Sequence, residues 1–148
     1  MKLPDWRYEQ IKMRVAQIFV KCNLKKVPIT GFEIANKLGI IVIPYSAFED
    51  KKRLKLVEED EDGLYVKKND KHYIYYNDKK EYGRINFTIL HEIGHIVLDH
   101  SQHSELAEAE ANFFAKYAIA PPVLIDKFRN ENSYLELLIR IYENFRVT

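Results

Sequence analysis

His91-Glu92-Ile93-Gly94-His95 puts two imidazoles and a carboxylate into five residues of the 148-residue chain. The pattern is HExxH. The segment lies in a stretch of helical periodicity, so His91 and His95 stand one turn apart on one face. That spacing lets two ring nitrogens meet one zinc ion at about 2.0–2.1 Å. Glu92, between them, could take a proton from a water at the open coordination position and pass it to a leaving amine. The chemistry is metal-assisted hydrolysis, with Glu92 as the catalytic residue and Zn2+ as the cofactor.

Catalytic zinc takes three protein ligands and leaves one position open. A third His six residues beyond His95 is ruled out, because Ser101 stands there. His100 and His103 are candidates in what otherwise reads as a polar turn over Asp99 to His103. The favoured third ligand is Glu108, one turn into a returning helix. Asn112, four residues on, is expected beneath it, accepting the free ring N–H of His91 or His95 and so fixing its tautomer. Glu110 points about 160° away from Glu108 at ~100° per residue. It is expected to be solvated, like Glu105, and becomes the ligand only if the register shifts.

The elements that must position these residues follow from periodicity. Ile11, Val15, Ile18, Phe19 and Cys22 form the apolar stripe of a first helix, with Asp5 as its expected cap. Thr30 and Glu33 form a capping box for a short helix that Gly39 ends. Ile40 to Ile43 reads as a buried strand. Residues 46–62 read as a polar loop with a short strand at Leu54 to Val57. Gly63 to Lys67 and His72 to Tyr76 read as a hairpin around Lys68 to Lys71. Ile89, Ile93, Ile96 and Val97 share the inner face of the zinc helix. Ser104 caps the next helix, Pro121 and Pro122 stop it, and Ser133 to Tyr142 marks a last amphipathic helix. Strands first and helices later make an α+β fold, a small antiparallel sheet packed against helices. Tyr73, Tyr75, Tyr76 and Tyr82 crowd the segment before the zinc helix. They read either as the aromatic face of a strand or as a strand edge to which an extended peptide adds, with one Tyr or Arg84 near the oxyanion.

Composition bounds the function. The length suits one domain, 1–148. Lys plus Arg is 23 against 22 Asp plus Glu, so no whole-protein field draws in nucleic acid or an acidic membrane. The single cysteine excludes a disulfide scaffold and suits a reducing compartment. Met1 to Val20 is broken by charges and does not read as a signal peptide, and no apolar run reaches ~20 residues. The expected location is the cytoplasm.

Arg84 to Leu98 resembles the RFTLAHELGHLLL signature of the ImmA/IrrE family of zinc metallopeptidases. Glu108 to Ala115, followed by Ala120-Pro121, resembles that family's ExEANxFA…MP segment, and Phe32 to Ile40 is similar to its IAxxLGI stretch. The resemblance implies a gluzincin-like core in which His91, His95 and Glu108 hold zinc and Glu92 is the general base. It also implies a substrate: a cytoplasmic helix-turn-helix repressor of a mobile element or stress response. Asn86 departs from the signature, where Arg is common. Glu143 to Thr148 resembles the start of a helix-turn-helix turn with no recognition helix after it, so no direct nucleic-acid binding is expected. The alternative is a non-catalytic zinc-containing antirepressor module that acts by docking. Against it, a structural site needs no base and would be closed by a fourth ligand.

Overall fold

The computed structural model describes residues 1–24, 29–58 and 61–119, with 56–58 described by backbone alone. The expected stop at Pro121 and Pro122, the last helix and the segment 143–148 lie outside the described residues.

The order is α1 (Asp5–Lys21), α2 (Gly31–Leu38), β1 (Ile41–Pro44), a short 3-10 turn (Tyr45–Ala47), α3 (Asp50–Glu58), β2 (Gly63–Lys68), β3 (Lys71–Tyr76), α4 (Tyr82–Val97) and α5 (Glu105–Ile119). This is an α+β fold. The sheet order is β1-β3-β2, with β2 antiparallel and β1 parallel to β3. It is therefore mixed rather than wholly antiparallel: the connection that holds α3 starts and ends beside Tyr76, so β2 brings the chain back and β3 sets out from the same end as β1. Residues 50–58 are that helix; the run Leu54 to Val57 is not a strand. Two corrections concern exposure and pairing. Ile41 is 38% exposed, so β1 is a half-covered edge. β3, which carries Tyr73, Tyr75 and Tyr76, is the central strand, paired on both sides, and offers no edge to a peptide.

Local signals explain the elements. The α1 stripe of Ile11, Val15, Ile18, Phe19 and Cys22 is buried, each residue 3% exposed or less. Pro4 occupies the α1 cap and Asp5 the first turn, where a negative charge meets the positive helix end. The Thr30 side chain accepts from the Glu33 N–H at 3.2 Å. Gly39 closes α2 at φ +75°, a left-handed conformation that glycine adopts without strain. Asn69 and Asp70, at φ 53° and 62°, turn the β2–β3 hairpin. Both residue types tolerate that region.

Ile11, Phe19, Ile34, Ile74, Ile89, Leu90, Ile93 and Phe114 meet in one core between the sheet and the helices. Asn86 joins two elements within it: its Oδ1 accepts from the Gly31 N–H at 2.6 Å and its Nδ2 donates to the Ile29 carbonyl at 3.1 Å. Those two bonds satisfy backbone groups at the buried start of α2. Among the described residues, no helix is long and apolar enough to cross a membrane.

Candidate metal centre

α4 carries the HExxH segment in its last two turns, and the chain then reverses. Asp99 adopts φ 57° just past the helix. Ser104 precedes α5, its hydroxyl accepting from the Ala107 N–H at 3.0 Å. α5 returns against α4, and Gly94 sets how closely. A Cβ at Gly94 would lie 3.1–3.2 Å from the Phe114 side chain, tighter than ordinary packing allows. The variable position inside HExxH is thus where the two helices touch.

That approach brings Glu108 to both histidines. His91 Nε2 and His95 Nε2 are 3.1 Å apart. Glu108 Oε2 lies 3.0 Å from His91 Nε2, and Oε1 lies 3.1 Å from His95 Nε2. A tetrahedral ion with bonds of ~2.0–2.1 Å sets donor pairs about 3.3 Å apart. The triangle is near that size, and two imidazoles with one carboxylate are a donor set that suits zinc. His91, His95 and Glu108 form the cluster able to hold a metal among the described residues. The His95 side chain is 5% exposed and that of Glu108 44%. The cluster is therefore buried on one flank and open on the other.

The electrostatics suit ligation. Burial, then the neighbouring His91, push the His95 imidazole down to about 4. The ring is neutral at pH 7, with a lone pair for a metal. Burial opposes ionisation of Glu108, but the adjacent His91 and His95 outweigh it and hold the carboxyl below its ordinary range.

Glu92 is 7% exposed. Burial, followed by the charges of Glu108 and Glu61, pushes its carboxyl up to about 7. Its Oε2 and the Nδ1 of His91 are buried without a hydrogen-bond partner among the described residues. A buried carboxyl with an unpartnered oxygen beside three converging donors is placed to exchange a proton.

The remaining expected residues fall elsewhere. Asn112 is exposed and lines an open cavity of about 350 Å³ with Glu108, Tyr8 and Phe113. Four residues past Glu108, it follows that side chain toward solvent. The Nδ1 of His95 instead lies 2.9 Å from the Nδ1 of His100. His103 is at the rim, 86% exposed, with its Nδ1 3.4 Å from Glu108 Oε1. Arg84 is paired to Asp62 through two hydrogen bonds of 2.8 and 2.9 Å.

Glu110 is not solvated. It is 7% exposed, held by Arg7 and by His100. The Arg7 hydrogen bond, working against burial, keeps its carboxyl ionised below the ordinary range. The sequence carried a signal for this. Glu110 lies on the α5 stripe of Ala107, Ala111, Phe114 and Ala118, the face turned inward.

The family model of the IrrE N-terminal-like domain, Peptidase_M78, matches residues 35–148. The chain belongs to this family. Its assignment as a peptidase family agrees with a donor triad beside a buried acid, and the matched region contains His91, Glu92, His95 and Glu108. No curated protein and no solved structure matches the chain.

Proposed function

We propose that this M78 member is a zinc-dependent endopeptidase in which His91, His95 and Glu108 hold the ion and Glu92 is the general base. The observation that carries the reading is the buried Glu92 carboxyl, without a partner at Oε2 among the described residues, beside the three donors. Zinc in this donor set supplies Lewis-acid polarisation of a carbonyl and makes water more acidic. Glu92 takes the proton from the attacking water and returns it to the amide nitrogen as the peptide bond breaks. Burial raises the Glu92 carboxyl above the ordinary carboxylate range, which favours its holding a proton between the two transfers. Glu108 holds its charge while its open flank leaves room for a substrate backbone. Among the described residues β2 pairs with β3 on one side only, and the charge of Glu61, just before it, is felt at Glu92. An extended peptide laid along β2 would therefore pass the site.

The proposed substrate is a helix-turn-helix transcriptional repressor of a mobile element or stress response, met in the cytoplasm. Support for it comes from the resemblance and the family. The test compares new protein N-termini in host cells expressing wild type or Glu92→Gln. New ends confined to the wild type, within one or a few DNA-binding regulators, are expected. Glu92→Gln is expected to bind one zinc per chain and to cleave about 10²–10⁴-fold more slowly. Equal cleavage by both removes Glu92 from its role. Zinc bound by both with no new ends in either favours the non-catalytic docking module.

A further inference from the structure

His95 Nδ1, the ring nitrogen that faces away from the triad, begins a chain of contacts running out to α1. It lies 2.9 Å from His100 Nδ1, and His100 Nε2 lies 2.8 Å from Glu110 Oε1. Arg7 closes the chain with two bonds, Nε to Glu110 Oε2 at 2.8 Å and Nη2 to Oε1 at 2.7 Å. The His100 and Glu110 side chains are 11% and 9% exposed, and Arg7 is 23% exposed. Arg7 also donates to Gln10.

We infer that Arg7, Glu110 and His100 form a positioning relay for the metal centre. The relay selects the His95 tautomer whose Nε2 lone pair faces the ion. The inference rests on the reading of His91, His95 and Glu108 as ligands.

The protons admit one consistent arrangement. A metal on His95 Nε2 requires the hydrogen on Nδ1. His95 Nδ1–H then donates to His100 Nδ1, which must carry no hydrogen. The His100 hydrogen therefore sits on Nε2 and donates to Glu110 Oε1. Glu110 can only accept, and the Arg7 guanidinium holds it ionised with a two-bond fork. Each donor meets an acceptor, and no ring nitrogen in the chain is orphaned. His91 shows the contrast, because its Nδ1 has no hydrogen-bond partner among the described residues. The relay serves one ligand, and its last member comes from a helix outside the region that the family model matches.

The arrangement separates His100 from a direct ligand. Both its nitrogens are engaged, one with a ligand's ring and one with a carboxylate. A His100 that swung over to bind the ion itself would have no use for Arg7. The relay makes Arg7 matter to the metal although it touches neither the ion nor a ligand.

The test titrates zinc against a competing chelator in wild type, His100→Ala, His100→Gln and Arg7→Ala. The cobalt absorption spectrum of each reports ligand geometry, and melting of the metal-free chains reports folding. His100→Ala is expected to weaken zinc about 10–100-fold, the range for partners of metal-bound histidines. Arg7→Ala is expected to weaken it in the same direction by less. His100→Gln, whose amide can both accept and donate, is expected to recover part of the loss. Wild-type affinity and an unchanged cobalt spectrum in both alanine variants would overturn the relay. So would a loss in Arg7→Ala matched only by a fall in metal-free melting temperature. A loss in His100→Ala with none in Arg7→Ala would make His100 a ligand and also overturn it. Failure of the wild type to bind zinc would sink the metal reading itself, a distinguishable result.

Discussion

Glu108 and Glu110 are the same residue type, two positions apart, and the fold gives them opposite tasks. Glu108 lies at the partly open flank, 3.0–3.1 Å from two imidazole nitrogens. Glu110 is buried against Arg7 and His100. The helical step of ~100° per residue separates their directions, and packing decides which faces the histidines. Glu108→Ala is therefore expected to weaken zinc by more than the ~10–100-fold typical of an outer hydrogen-bond partner, measured by the same chelator competition. A smaller loss than that of His100→Ala would remove Glu108 from the ligand set. Asn112 belongs to this scale too. It shares an open cavity with Glu108 and is exposed, rather than lying under the rings.

The pair that matters among the elements is α4 and α5. HExxH fixes two donors on one helix, and the third arrives only because α5 packs close enough. Gly94 permits that distance, since any Cβ there meets Phe114. Gly94→Val is expected to destabilise the fold by about 1–3 kcal/mol through overpacking, read by urea unfolding. It should also weaken zinc, because displacing α5 carries Glu108 away from His91 and His95. Unchanged zinc affinity in a folded Gly94→Val would mean that this contact does not set the Glu108 position. Asn86 works at the same scale. Where the family signature commonly has Arg, this chain uses a buried amide to tie α4 to the start of α2. Arg84 pairs with Asp62 at the surface.

For the whole molecule, the donors come from the consecutive helices α4 and α5 and the relay extends to α1, 103 residues away, so metal binding would draw on three helices packed together only in the fold. An unfolded chain cannot assemble them, and binding to the native state alone stabilises it. At zinc a hundred times its dissociation constant, the gain is expected to be about 2.7 kcal/mol. Calorimetric melting with and without chelator checks this. An equal melting temperature in both conditions would show no preference of the ion for the folded state.

Much of this protein was legible in its sequence because the relevant physics is local. HExxH spacing follows from 3.6 residues per turn, and Thr30, Gly39 and Ser104 mark helix ends through bonds made within a few residues. The α1 stripe named the core-facing side of a helix that long-range packing then used. What only the tertiary structure decided involves partners far apart in the chain. The parallel partner of β3, the burial of Glu110 and the approach of Arg7 from 103 residues away are of that kind. Residues 50–58 read as a loop in sequence because their charge pattern carries little periodicity, whereas the structure makes them α3. His100 looked like a residue of a polar turn because periodicity reports which face a side chain takes on its own helix. It does not report which ring from the preceding helix that side chain will meet.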